Sequence, residues 1–296
     1  MKPGVFSWHP ARSVDEAVAL LAEYAPQDGR VIAGGQSLVP SMALRLAFPA
    51  HLIDINGVEE LARVRVEGSE LAIGACVRHA AFQRPVEPGA LGQALAQVVH
   101  HIAHSPIRAR GTFCGSVANA DPASEWCLVA ATLGAKMIAR SARGTRVIDA
   151  ADFFQGIMTT ALAEDELLTE VRLPLLPVGT RAGFYEFSRR AGDYALAMAF
   201  VCWQEVEGRM RDVRIGTGSI EAQPRRIAAA EALLEGQMAT PAAIEAGVEA
   251  AIQAVCAAVD PLEDFHTSAQ YRRDLIGTAV RRAFSHALSD TARQSP

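Results

Sequence analysis

The chain has 296 residues, half of them hydrophobic, with a net charge of -5 and an isoelectric point near 5.9. That length allows two or three domains with full cores, and the mild acidity excludes a strongly basic nucleic-acid binder. No apolar core segment follows Met1-Lys2, the longest apolar stretch (Cys127 to Ile138) contains Lys136 and is too short for a bilayer, and the five scattered cysteines form no C-x-x-C pair, so a cytoplasmic chain with reduced thiols, no transmembrane segment, no iron–sulfur cluster and no structural zinc is expected.

Ser13-Val14-Asp15-Glu16 reads as a capping box opening a helix through Glu23, with Val14, Ala17, Val18 and Leu21 on one face. A strand over Arg30 to Ala33 runs into the turn Ala33-Gly34-Gly35-Gln36-Ser37, then a helix over Leu38 to Leu46 and a strand over Leu52 to Ile55. This β-α-β-α-β-like unit ends near Asn56-Gly57. Strands follow at Val64 to Val66 and Leu71 to Ile73, then a helix over Pro88 to Ile102. A second glycine-bearing loop spans Gly111 to Pro122, and a helix over Ala123 to Leu133 comes next. Lys136 to Ala139 and Arg146 to Ile148 read as a hairpin, and Leu167 to Leu173 as a strand. Pro174 and Pro177 mark a domain boundary.

Beyond it, Gly183 to Phe187, Ala197 to Trp203 and Met210 to Thr217 suggest an antiparallel sheet, followed by helices over Ile227 to Leu234, Ala242 to Ala257 and Ser268 to Leu288. Strands followed by a helix cluster predict an α+β class. The basic pairs Arg272-Arg273 and Arg281-Arg282 recur at helical spacing and read as a solvated helix face or a partner contact.

The two glycine loops carry the chemistry. Glycine lets the backbone approach a ligand closely and take a positive φ, and the N–H groups ahead of a helix favour an anion. Two such cradles suggest a ligand with two phosphates. Neither loop is a G-x-x-x-x-G-K-[ST] P-loop, and Gly216-Thr217-Gly218 lacks the third glycine of a dinucleotide fingerprint. Asp121-Pro122 reads equally as a helix N-cap followed by proline or as a ligand contact. His100, His101 and His104 share a helix face, but no carboxylate or cysteine at ligand spacing completes a metal site.

Ala33-Gly34-Gly35-x-Ser37-Leu38-x-Pro40 and Arg110-Gly111-Thr112-x-Cys114-Gly115-Ser116-x-Ala118-x-Ala120-Asp121-Pro122 resemble, in that order, the two signatures of the FAD-binding medium subunits of molybdenum hydroxylases. Leu52-Ile53-Asp54-Ile55, Ile73-Gly74-Ala75, Asp152-Phe153-Phe154, Arg189-Arg190-x-Gly192-Asp193-Tyr194-Ala195 and Ser268-Ala269-x-Tyr271-Arg272-Arg273 extend the resemblance over nearly the whole chain.

The resemblance implies a PCMH-type FAD-binding domain over 1–177, built of two small α/β subdomains (about 1–57 and 58–177), and a C-terminal domain over 178–296 with an antiparallel sheet and helices. It implies FAD held by Ala33, Gly34, Gly35, Gln36, Ser37, Leu38, Thr112, Cys114, Gly115, Ser116 and Leu168, with amides of Gly34 to Ser37 and of Thr112, Gly115 and Ser116 as donors, and with Asp121, Glu125 and Tyr194 on the flavin side. Cys114 stands where most members carry glycine. A buried apolar filler is favoured over a redox role there. Glutamate at position 125 is longer than the usual aspartate, and no lysine stands near Tyr185-Glu186, where other members have one.

By the same resemblance the chain passes electrons within a heterohexamer, two copies each of itself, a molybdopterin-binding large subunit and a [2Fe–2S] small subunit. None of its own residues acts as a substrate acid or base. A self-contained flavin oxidase and a non-redox nucleotide binder are the alternatives.

Overall fold

The computed structural model describes residues 2–265 and 267–289. The chain divides into two compact units that interleave in sequence: Met1–Ala81, His104–Ala120 and Gly134–Pro174 form one, and Phe82–Ala103, Asp121–Leu133 and Leu175–Pro296 the other.

The first unit holds two sheets. Ser7–Pro10, His51–Asp54 and Gly29–Ile32 form a parallel sheet with His51–Asp54 in the middle. The helix Val14–Tyr24 starts at Ser13, whose Oγ accepts from the Glu16 N–H at 3.1 Å, and it buries Val14, Ala17, Val18 and Leu21. A second sheet is antiparallel, in the order Val64–Glu67, Glu70–Gly74, Leu167–Pro174, Lys136–Ser141, Gly144–Asp149. Several elements differ from expectation, among them the short helices Ser105–Arg108 and Ala150–Phe153 and the two that follow. Ser7–Pro10 is a strand that its polar, mostly exposed sequence does not announce. Within the second glycine loop, Phe113–Asn119 is a short helix, started by the Thr112 cap and stopped at Ala120, which adopts a left-handed conformation.

The second unit is built on an antiparallel sheet of Thr180–Ser188, Ala195–Val206, Arg209–Gly218 and Arg225–Arg226. Its strand Ala195–Val206 is buried on both faces from Ala197 to Trp203, which is why that stretch reads as an apolar run rather than an alternation. Ala197, Ala199, Val201 and Trp203 join the core shared with the helices Ala228–Leu234, Pro241–Ala258 and Ala269–Ser289. Met198 lies on the other face, where the helix Glu125–Leu133 packs over Gly216 and Gly218. That helix is apolar all round, and Phe82 and Trp126, both fully buried, meet at 5.3 Å between ring centres. These contacts tie the two earlier segments to this unit. Pro241–Ala258 is long and apolar enough to cross a bilayer, yet it turns Ile244, Val248, Ala251, Ile252 and Val255 into the core.

Arg272 departs from the solvated face or partner contact expected of the basic pairs. It is only 6% exposed and donates to the carbonyls of Leu196 (2.8 Å) and Ser219 (2.6 Å) and to Asp264 Oδ2 (2.5 Å). Arg281 pairs at the surface with Glu249.

Candidate functional site

The strand Gly29–Ile32 delivers the chain into Ala33-Gly34-Gly35-Gln36-Ser37. Gly35 takes φ +69°, a left-handed conformation open to glycine, and the helix Leu38–Ala43 begins directly after Ser37. Gln36 Nε2 bonds the Gly34 carbonyl at 3.0 Å. Among the described residues, the backbone N–H groups of Gly34, Gly35, Gln36 and Ser37 have no protein acceptor.

In the second loop, Thr112 caps the helix Phe113–Asn119. Its Oγ1 accepts from the Gly115 N–H, and its carbonyl from the Ser116 N–H, both at 3.0 Å. The expectation that the amides of Gly115 and Ser116 are free donors is therefore corrected: they close the first helical turn. The amides of Thr112 and Cys114 have no backbone acceptor among the described residues.

The two loops touch. A Cβ on Gly34 would overlap the Arg110 carbonyl oxygen and lie 2.6 Å from Gly111 Cα. Gly111 in turn abuts His79, whose Nε2 would sit 2.6 Å from a Cβ there. Between the loops opens a cleft of about 330 Å³, within the range of about 300–1,000 Å³ typical of small-molecule and cofactor sites. It is lined by Ala33, Gly34, Gly35, Gln36, Ser37, Leu38, Thr112, Cys114, Gly115, Ser116 and Leu168, together with Ile55, His79, Asn119, Leu162 and Glu166, which the sequence reading did not select. The one carboxylate among these, Glu166, is neutralised. Arg146 pairs with both its oxygens at 2.7 Å and holds it below the usual carboxylate range. A concave wall of unused amides, glycines with no room for a side chain and no free carboxylate suits a diphosphate.

Cys114 Sγ donates to the Ile73 carbonyl (3.2 Å) and Cys76 Sγ to that of Ile55 (3.3 Å). Burial pushes both thiols up, Cys76 to about 11. A raised, buried thiol is a weak nucleophile, so Cys114 packs as a small apolar residue. Cys114→Gly is expected to retain FAD and to lose about 1–2 kcal/mol of stability through the vacated volume and the added backbone freedom. Flavin content and a denaturant melt check this.

His79 is 5% exposed. Burial, and then the charges of Arg108 and Arg78, lower its imidazole from 6.5 to about 4. Because the unfolded chain takes up this proton first, His79 contributes stability that is present above pH 6.5 and lost as pH falls toward 4, by up to about 1.4 kcal/mol per pH unit. His79→Gln is expected to flatten the fall in thermal midpoint between pH 6.5 and 5. A slope equal to that of the unaltered chain would refute it.

Asp121, Glu125 and Tyr194 belong to the second unit. Asp121 Oδ1 accepts from the Ala123 N–H at 2.9 Å, a cap, and burial raises its carboxyl. Glu125 opens the helix Glu125–Leu133. Burial and then the charge of Glu186 push it up to about 8. Glu186 is 8% exposed, with one oxygen 3.6 Å from His101 Nδ1 and the other without a hydrogen-bond partner among the described residues. Tyr194 is exposed on the turn before Ala195–Val206 and lies within electrostatic reach of Asp121 and Glu125.

Residues 4–176 match the family model described as the FAD binding domain in molybdopterin dehydrogenase, and residues 182–287 that of the CO dehydrogenase flavoprotein C-terminal domain. The chain is 37% identical over 291 residues to the nicotine 6-hydroxylase medium subunit of Paenarthrobacter nicotinovorans, covering 98% of this chain and 100% of the relative. It is 34% identical to the carbon monoxide dehydrogenase medium chain of Hydrogenophaga pseudoflava, covering 99% and 100%. A solved structure of carbon monoxide dehydrogenase from the same organism superposes with a TM-score of 0.91 at 35% identity over 98% of this chain and 99% of that one. Quinoline 2-oxidoreductase from Pseudomonas putida 86 gives 0.88 at 34%, with the same coverage. The chain therefore belongs to the FAD-binding medium subunits of molybdenum hydroxylase-type dehydrogenases, an oxidoreductase component whose cofactor is FAD.

Proposed function

We propose that this subunit takes electrons from the [2Fe–2S] clusters of a small partner subunit and passes them through its FAD to an external acceptor, while a molybdopterin-binding large subunit oxidises the substrate. The observation that carries this reading is the cleft itself: it offers main-chain donors for a diphosphate and no grouping of side chains suited to acid–base work on a substrate. The flavin, when bound, supplies the coupling between one- and two-electron transfer. The residues of this chain bind and orient it: the amides of Gly34 to Ser37 and of Thr112 would hold the diphosphate, with Leu168, Asp121, Glu125 and Tyr194 as further contacts.

We assign FAD binding to 1–177 and the remaining fold to 178–296, two copies of each subunit to the assembly, and a cytoplasmic location, which the five free thiols suit. Relatives of similar identity are named for nicotine and for carbon monoxide. That spread fits a substrate chosen by another polypeptide.

The test follows the flavin absorbance of the purified, FAD-loaded chain. A panel of small substrates is expected to leave it oxidised until the partner subunits are added. Bleaching by a substrate with the chain alone would overturn the proposal in favour of a self-contained oxidase.

A further inference from the structure

We infer that Asn56 and Arg78 are positioning residues for the cofactor's diphosphate, acting as one strap that fixes the two glycine loops to each other. Asn56 Nδ2 donates to the carbonyl of Ala33 at 2.7 Å, and Asn56 Oδ1 accepts from Arg78 Nη2 at 2.6 Å. Arg78 Nη1 donates to the carbonyl of Arg110 at 2.5 Å. The path runs from Ala33 in the first loop, through one amide and one guanidinium, to Arg110 in the second. Asp54 holds the strap in place: its Oδ1 accepts from the Asn56 side chain at 2.6 Å and from the Asn56 backbone N–H at 3.0 Å.

The two bonded carbonyls are the ones directly ahead of Gly34 and Gly111. A trans peptide is planar, so its C=O and N–H point in opposite directions. Drawing the Ala33 carbonyl toward Asn56 therefore aims the Gly34 N–H the other way, and that amide is one of the unused donors. Holding the Arg110 carbonyl fixes the surface against which Gly34 packs. Glycine on its own leaves a peptide free to rotate. Two glycine loops that must present donors to one ligand need an outside constraint, and this strap supplies it. Asn56 is exposed and Arg78 half-buried, so the strap adds little to folding, where exposed polar contacts are worth little. Its effect falls on the geometry of the donors, where a misplacement of about 1 Å is costly.

The experiment uses the full chain with Asn56→Ala, Arg78→Ala, the double variant and Arg78→Lys. FAD release from the loaded chain is read as the rise in flavin fluorescence after dilution, and the melting midpoint of the deflavinated chain is read by circular dichroism. Each alanine variant is expected to release FAD about 10- to 100-fold faster, with the deflavinated midpoint moved by no more than about 2 °C. The double variant is expected to fall well short of the product of the two single effects, because both act through one connection. Lysine, which keeps the charge but has no fork to span Asn56 and Arg110, is expected to recover less than half of the loss.

Unchanged release, a multiplicative double variant or full rescue by lysine would overturn the inference, the last by reducing Arg78 to a charge near the phosphates. So would a fall in the deflavinated midpoint large enough to account for the release, since that marks a structural role.

Discussion

Gly34→Ala is expected to leave the chain without FAD. The added methyl meets the Arg110 carbonyl and the Gly111 Cα at 2.6 Å, and both are backbone with no flexible end to move aside. One loop must therefore shift, and the shift opens the junction on which the cleft depends. Affinity for FAD is expected to fall at least about 100-fold, or about 3 kcal/mol, read by flavin content after gel filtration and by titration with FAD. Gly35→Asp reaches the same end by another route: it places a side chain at φ +69° and a carboxylate beside a dianionic ligand. Gly68→Ala is the control. Gly68 also has a positive φ, +59°, but nothing lies within 4 Å of the added methyl. It is expected to cost about 1 kcal/mol of stability and to keep the flavin. Full flavin content in Gly34→Ala would show that the contact between the loops is not what shapes the site.

Local patterns carried far in this chain where the cause was local. The face Val14, Ala17, Val18, Leu21 and the Ser13 cap are set by residues within two turns of each other, and the structure has them as read. The Ala-Gly-Gly turn needs a left-handed residue, and Gly35 is where it occurs. The helix Phe113–Asn119 was hidden because a run with glycine, serine and threonine reads as loop, and only the Thr112 cap turns it into a helix. Ser7–Pro10 was hidden because an edge strand pairs on one side and buries little. Asn56 and Arg78 lie 22 residues apart and belong to no motif. Their joint role exists only once two sheets have placed them together. The same holds for Phe82 with Trp126 and for Glu125 with Glu186: a sequence shows each member, but the pairing comes from long-range packing.

Arg272→Ala is expected to be the most destabilising single change to a charged residue in the second unit. Its guanidinium caps the carbonyls of Leu196 and Ser219, and Ser219 Oγ in turn bonds the carbonyl of Ala195. These bonds close the end of the sheet from which Tyr194 projects. Truncation strands the buried Ser219 carbonyl and the part-buried Leu196 carbonyl, a loss of about 2–4 kcal/mol at about 1–3 for each stranded group out of a total of about 5–15, while the half-exposed Asp264 loses little. The melting midpoint is expected to fall on the order of 10 °C. Arg281→Ala, one pair further along the same helix, removes only a surface contact with Glu249, both partners about half exposed. It is expected to cost less than about 1 kcal/mol. In sequence the two arginines are equivalent, each the first member of a basic doublet. Helical spacing fixes which residues share a face, and the neighbouring sheet decides which face is buried. Equal melting losses in the two variants would mean that the carbonyls at 196 and 219 find other donors when Arg272 is gone, and that the turn bearing Tyr194 is held by something else.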